Sequence, residues 1–206
     1  MLRVWGRSNS INVQKVMWTL GELGLPHERI DVGGEHAGLD TSAYGALNPN
    51  RRIPTLEDDR FVLWESNVIV RYLAAKHGAG SLWPTDLEER AVADQWMDWQ
   101  QTTLLPDMRT LFWGLVRTAP ERRDLAAIDA AAKSLASIWQ RLAEHLTHRS
   151  FVVGERFTMG DIPVGAMYHR YHALGVAEQE PKSLAVWYER LEERPAYRAH
   201  VMLPLS

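Results

Sequence analysis

The stretch that decides the reading is NPNRRIPTLEDDRFVLWESNVIVRYLAAK, residues 48–76. Two short runs, Pro54 to Glu57 and Arg60 to Trp64, flank Asp58-Asp59, and turn residues between two such runs predict a β-hairpin. Ser66 and Asn67 then supply N-cap chemistry, with Val68-Ile69-Val70-Arg71-Tyr72-Leu73 as the body of a helix. Pro54 opens the first of the two strands. It cannot donate a ladder hydrogen bond, so it belongs at an edge or a strand start. Base rates alone make Ile53-Pro54 an ordinary trans bond, whereas a cis bond would leave the Ile53 N–H and C=O to a ligand. Glu65-Ser66 stands where a strand gives way to a helix. Such an end presents free N–H groups and a partial positive charge, so a carboxylate binds well at Ser66 and Glu65 can pair with an ammonium. The plain alternative is a Ser66 cap with a dipole-favoured acid beside it.

Working back towards the amino terminus, Leu2 to Trp5 is a short apolar run that predicts a buried strand. Gly6-Arg7-Ser8-Asn9-Ser10 is a polar turn into a helix, where hydroxyls and N–H groups suit an anion or a thiolate. From Ile11 to Leu23, Val13, Val16, Met17 and Leu20 fall at i, i+3, i+4 and i+7, one helix face, and Gly24-Leu25-Pro26 ends it. His27 to Val32 reads as a second strand and Gly33 to Ser42 as a loop. Ala43 to Leu47 reads as a short helical turn before Asn48-Pro49. The order over residues 1–78 is βαβαββα. Residues 79–86, with Gly80, Pro84 and the apolar pair Leu82-Trp83, read as a linker.

Residues 87–206 read as helical throughout. Leu87 to Arg117 forms a long pattern in which Pro106 should kink or break the helix. Ile128, Leu135, Ile138, Leu142 and Leu146 mark a second long helix, and Asp161 to Leu174 and Lys182 to Glu193 two more. Strands alternating with helices, followed by helices only, argue for an α/β domain and an all-α bundle. Thr158-Met159-Gly160-Asp161 reads as a capping box that holds the Asp161 helix, worth about 1 kcal/mol.

Composition narrows the function. The 206 residues are 46% hydrophobic and 24% charged, a globular balance. Lys plus Arg is 23 and Asp plus Glu 26, a formal charge of −3. That argues against a phosphate-backbone binder and a polybasic membrane-surface protein, leaving small molecules and proteins as partners. The chain has no cysteine, hence no disulfide, no thiolate metal site and no thiol nucleophile of its own, which fits a reducing cytoplasm. MLRVWGRSNS has no signal-peptide pattern and no run approaches 18 uncharged apolar residues, so a cytoplasmic location and no membrane span are expected. His36, His77, His145, His148, His169 and His172 form no HExxH-type pattern, and no metal is expected. There is no G-x-S-x-G, Walker or G-x-G-x-x-G motif. Nine tryptophans against four phenylalanines point to large flat core surfaces or an aromatic-lined pocket.

Asn48-Pro49, Ile53-Pro54-Thr55-Leu56 and Glu65-Ser66, in that register, together with FVVGERFTMGDIP at 151–163, resemble the soluble glutathione S-transferases. The resemblance covers roughly 1–77 and 87–200. It implies a thioredoxin-like βαβαββα domain followed by an all-helical domain, a homodimer, and glutathione as co-substrate on the first domain beside an electrophile pocket of the second. It implies a cis bond before Pro54, with the Ile53 backbone pairing the cysteinyl backbone of glutathione. Glu65 would hold the γ-glutamyl ammonium, and Ser66 its carboxylate. The plain readings of Pro54 and Glu65-Ser66 are thereby reversed.

Family members activate the thiol with Tyr, Ser or Cys near the end of the first strand. This chain has no Cys and its first tyrosine is Tyr44, which leaves Ser or Asn. Serine-type members place the serine six residues before an apolar helix residue, and Ser10 stands six before Val16. Asn12 matches the asparagine of a bacterial subgroup with a Thr-x-Asn motif and is a second donor. Arg52 and His36 are candidates for the glycyl carboxylate, while Arg51 stands where many members carry a small residue. Leu104, Met108, Leu111, Phe112 and Trp113, with Tyr168, are candidates for the electrophile pocket. Transfer to a hydrophobic electrophile is the expected reaction. A glutathione-dependent peroxidase or isomerase, or a non-catalytic glutathione- and hydrophobe-binding module, are the alternatives.

Overall fold

A computed structural model of the chain describes residues 1–177 and 179–206. The chain forms two compact units, Met1–Trp83 with Pro195–Leu203, and Pro84–Arg194 with Pro204–Ser206.

The first unit is built on a four-stranded sheet, β1 Leu2–Trp5, β2 His27–Ile30, β3 Thr55–Asp58 and β4 Phe61–Trp64, in the order β2-β1-β3-β4. β1 runs parallel to β2 and antiparallel to β3, and β3 and β4 form the hairpin. Asp58 pairs with Phe61, so the two loop residues are Asp59-Arg60 rather than Asp58-Asp59, and Asp59 carries the positive φ of 55°. The helices are α1 Ile11–Glu22, α2 Ser42–Leu47 and α3 Ser66–His77. Val13, Val16 and Leu20 of α1, Ile69 and Leu73 of α3, and Val4 and Leu56 of the sheet make one core, all with 0% exposure. Gly6 closes the β1–α1 turn at φ 150°. A Cβ there would meet Val13 Cγ2 at 2.4 Å and Ile53 Cβ at 3.2 Å, so only glycine lets this turn lie against Ile53.

The second unit is helical: α4 Leu87–Trp99, α5 Leu105–Phe112, α6 Leu125–Leu146, α7 Asp161–Ala173 and α8 Lys182–Glu192. The expected break near Pro106 takes the form of a π-helical turn over residues 100–104, with Pro106 at the start of α5. A wider turn just before the proline accommodates the missing N–H and the ring. Asp86 caps α4 by accepting from the N–H groups of Glu88 and Glu89, and Asp124 caps α6 through that of Ala127. Trp139, Tyr168, Trp187 and Tyr188 stack within one aromatic core.

Residues 195–203 differ from expectation. The sequence places them in the helical domain over 87–206, yet α9 Pro195–His200 belongs to the first unit and packs on α1. Tyr197 is fully buried with its ring 4.6 Å from that of Trp18, and Gly21 gives α9 room, since a Cβ there would lie 2.8 Å from Ala196 Cβ. Cover from α9 helps bury Trp18, and α1 is buried beyond its apolar stripe at Gln14, Lys15 and Thr19 as well. Among the described residues no helix is long and apolar enough to cross a membrane.

Candidate functional site

Two helix N-termini meet in the first unit. Ser10 caps α1 with extended backbone (φ −83°, ψ 121°), its carbonyl accepts from Gln14 N, and its hydroxyl makes no capping bond. Among the described residues that hydroxyl has no partner, so a donor stands ready at a positively polarised helix end. Two residues on, Asn12 reaches α3: the Ser66 hydroxyl donates to Asn12 Oδ1 at 3.3 Å. Neither α1 nor α3 has an acid within its first turn, and the one acid beside them, Glu65 at the start of α3, makes no capping bond, so the free N–H groups of both ends remain open to an anion.

Glu65 is the most distorted residue of the site. It initiates α3 with φ 72° and ψ 110° and makes no side-chain cap. A non-glycine residue in that region costs about 1–3 kcal/mol and persists where its surroundings hold it. Its carboxylate is exposed while Ser66 and Asn67 beside it are buried. The end of α3 is thus neither capped like an ordinary helix nor closed by its own acid.

The Ile53–Pro54 peptide bond is cis. The segment leading into it is anchored from behind. The Tyr44 hydroxyl and Asn48 Nδ2 both donate to the Arg52 carbonyl, at 2.7 and 2.8 Å, and both also contact Thr55 Oγ1. Asn48 is 2% exposed and accepts from Asn50 N, which explains why Asn48-Pro49 precedes the turn. Burial pushes the Tyr44 phenol above its ordinary value, so it stays neutral as a donor.

The cationic candidates separate. Arg51, at φ 52°, donates from Nη1 to the carbonyls of Leu39 and Thr41, each at 2.9 Å, and so ties down the loop before α2. Arg52 fixes the turn through its carbonyl and leaves its guanidinium exposed. The His36 ring lies 3.5 Å from Glu35 and 3.8 Å from Asp31, two acids that compete with any ligand carboxylate.

The pocket candidates also separate. Met108, Leu111 and Phe112 are buried in α5, which packs on α6, whereas Trp113 is 57% exposed with Arg109 against its ring. Phe112 lies under the Arg170 guanidinium at 4.1 Å. Tyr168 belongs to the aromatic core, its hydroxyl bonded to Glu180, and burial and that carboxylate raise its pKa. It lines a cavity of about 500 Å3 with Trp139, Tyr171 and Leu184, and that cavity contains no α5 residue. Leu104, Met108, Leu111 and Phe112 are thus buried and Trp113 exposed along one stretch of chain, while Tyr168 lies in the aromatic core.

Lys15 was missed. It follows the apolar spacing of α1 no better than a surface lysine would, yet it is 1% exposed and donates to Ser66 Oγ and Asn67 Oδ1. Nothing within α1 alone signals this, because its partners come from α3, about fifty residues away.

Comparison with known proteins identifies the family. The family model described as Glutathione S-transferase, N-terminal domain, matches residues 9–76, and the corresponding C-terminal domain model matches residues 126–201. Glutathione S-transferase GstB of Escherichia coli K12 is 43% identical over 208 residues, covering 100% of both chains. Glutathione S-transferase 1 of Manduca sexta is 32% identical over 195 residues, covering 89% of this chain and 84% of its own. Among solved structures, the theta class glutathione S-transferase of Xanthomonas axonopodis pv. citri with glutathione bound superposes with a TM-score of 0.95 at 44% identity, covering 100% of this chain and 99% of that one. The thioredoxin-like sheet unit, the helical unit and these relatives together place the chain in the glutathione S-transferase family of transferases.

Proposed function

We propose that the chain binds glutathione across the joined N-termini of α1 and α3 and activates its sulfur as a thiolate for attack on a hydrophobic electrophile. The observation that carries this reading is the pair of helix ends without side-chain caps, linked by the Ser66–Asn12 bond, with the Ser10 hydroxyl unpartnered among the described residues on one and the Glu65 carboxylate exposed on the other. Glu65 takes the γ-glutamyl ammonium, Ser66 its carboxylate, and the Ile53 backbone the cysteinyl backbone. Arg52, with its exposed guanidinium, is the better candidate than His36 for the glycyl carboxylate.

Ser10 is the thiolate donor in this reading. A free thiol of pKa about 8.5 is only about 3% ionised at pH 7, and about 75% ionised if its pKa falls to about 6.5. The required stabilisation is about 2.7 kcal/mol, which one charge-assisted hydrogen bond of about 1.5–3 kcal/mol and the α1 N-terminus can supply. Asn12 serves chiefly Ser66, since its Oδ1 already accepts from that hydroxyl. Only its Nδ2 is left for the sulfur.

The second substrate is taken by the helical unit, with the exposed Trp113 as its contact and the buried Met108, Leu111 and Phe112 as the packing behind it. The chain acts as a homodimer, and the exposed apolar residues of the first unit, Phe61, Trp64 and Val68, at 48%, 37% and 42%, are candidates for the surface it uses. It works where reduced glutathione is held, in the cytoplasm. Turnover of a haloaromatic electrophile with glutathione tests the reading. Retention on immobilised glutathione without turnover of any electrophile, peroxide or isomerisable substrate would make it a binding module instead. Light scattering should give twice the 23.5 kDa of one chain.

A further inference from the structure

The chain has four lysines, and only Lys15 is withdrawn from solvent; Lys76, Lys133 and Lys182 are exposed. An ammonium leaves water only where acceptors replace its hydration. Lys15 finds two in the first turn of α3, Ser66 Oγ at 3.4 Å and Asn67 Oδ1 at 3.2 Å. This is the wrong helix end for a cation. The N-terminus of α3 is already partially positive, and helix stability favours anions there. The placement therefore does little for the helix and much for any anion that docks on it.

The hydrogen-bond directions extend this. The Ser66 hydroxyl accepts from Lys15 and donates to Asn12 Oδ1. A hydroxyl that accepts from a cation becomes a stronger donor, and burial strengthens the effect. A ligand carboxylate at Ser66 would replace Asn12 as the acceptor of that proton.

We propose that Lys15 is a positioning residue for the γ-glutamyl α-carboxylate, acting through Ser66 without touching the ligand. The proposal rests on the reading of Glu65-Ser66 as the γ-glutamyl site.

The test uses two ligands in calorimetry, glutathione and 4-aminobutanoyl-cysteinyl-glycine, which keeps the ammonium and lacks the α-carboxylate. Lys15→Met should weaken glutathione about 10-fold or more, in line with one hydrogen bond to a charged group, and the truncated peptide less than about 2-fold. Equal losses for both ligands would reduce Lys15 to a structural role, and an unchanged glutathione affinity would also overturn the proposal. Should Lys15→Met not fold, the wild-type chain carries the test. With four lysines, the side-chain 15N signal of Lys15, assigned by its absence in Lys15→Arg, should shift on adding glutathione and not on adding the truncated peptide. A signal indifferent to both ligands overturns the proposal. Glu65→Ala separates the two levels, because it should weaken both ligands through their shared ammonium. A normal Glu65 loss with no Lys15 effect sinks the Lys15 proposal alone, whereas no loss for either ligand in Glu65→Ala sinks the site and the proposal with it.

Discussion

The N-termini of α3 and α7 carry nearly the same sequence chemistry, a hydroxyl residue and an acid, and the structure uses them in opposite ways. At α7 the acid is consumed. Asp161 is 0% exposed and accepts from Val152 N, Thr158 N and Trp187 Nε1, each at 3.0 Å, while Thr158 Oγ1 accepts from Gly160 N. At α3 the acid is withheld. Glu65 faces solvent with strained backbone, and Ser66 spends its hydroxyl on Lys15 and Asn12 rather than on the helix. A cap whose donors and acceptors are all satisfied holds the fold. A cap left open at the cost of strain is available to a ligand. The distinction lies in partners drawn from distant elements, so the motif alone does not make it.

The largest effect should come from breaking the closed cap. Asp161→Ala leaves three buried donors without acceptors, each costing about 1–3 kcal/mol, so the loss of stability should reach about 3 kcal/mol or more, measured by urea unfolding. Glutathione affinity of the fraction that remains folded should be unchanged. An equal loss from Glu65→Ala would erase the contrast between the two helix ends.

The open cap should respond in the other currency. Glu65→Ala and Ser66→Ala should each weaken glutathione by about 1.5–3 kcal/mol, the value of a hydrogen bond to a charged group. Glu65→Ala should barely change stability, since its carboxylate has no partner among the described residues. Ser66→Ala also takes an acceptor from buried Lys15, so it should cost roughly a further 1–3 kcal/mol of stability. Calorimetry and unfolding on the same two variants separate these effects.

Ser10 sharpens the contrast within the open site. Ser10→Ala should raise the pKa of bound glutathione by about one to two units, at about 1.36 kcal/mol per unit, and lower turnover at pH 7 about 10- to 30-fold. Affinity should change little, because Glu65, Ser66 and Ile53 remain. Ser8→Ala should be silent. Asn12→Ala should act mainly on affinity, through Ser66, and less on the thiol titration followed by absorbance. A shifted titration in Asn12→Ala with a normal one in Ser10→Ala would transfer the thiolate to Asn12.

What could be read from the chain was local. The hairpin, the Pro54 strand start, the α1 stripe and the 158–161 capping box each depend on residues within a few positions of one another, and each appears close to where its pattern lies. What could not be read depends on distant partners. Lys15 looks like any exposed helical lysine until α3 covers it, and 195–203 looks like one more piece of a helical domain until Tyr197 meets Trp18. The pocket candidates show the same limit. Spacing identifies Met108 and Leu111 as apolar positions of one helix, and packing on α6 decides that they face a core. The π-helical turn at 100–104 was half legible, since Pro106 marks the disturbance without specifying a widened turn.

The smallest effect is a pH dependence, and it tests whether the α7 cap is as closed as its geometry indicates. Burial pushes the Asp161 carboxyl up to about 6, against the hydrogen bonds from Val152, Thr158 and Trp187 that favour its charged form. A folded pKa above the ordinary 3.8 means the folded state holds this proton more tightly than the unfolded chain does. The resulting stability is full below about pH 3.8 and is lost as the pH rises through about 6. Between pH 5 and pH 7 the loss should be about 1 kcal/mol. His145 and His200 run the other way, because burial holds their pKa values below the ordinary 6.5, so their contribution is lost as the pH falls. The wild-type curve sums these opposing slopes, and the informative quantity is its difference from Asp161→Asn, which cannot titrate. Urea unfolding at pH 5, 6 and 7 should show wild type losing about 1 kcal/mol relative to Asp161→Asn on going from pH 5 to pH 7. A flat difference would mean that the three donors hold Asp161 charged throughout, and a widening one in the opposite direction would mean that they outweigh its burial.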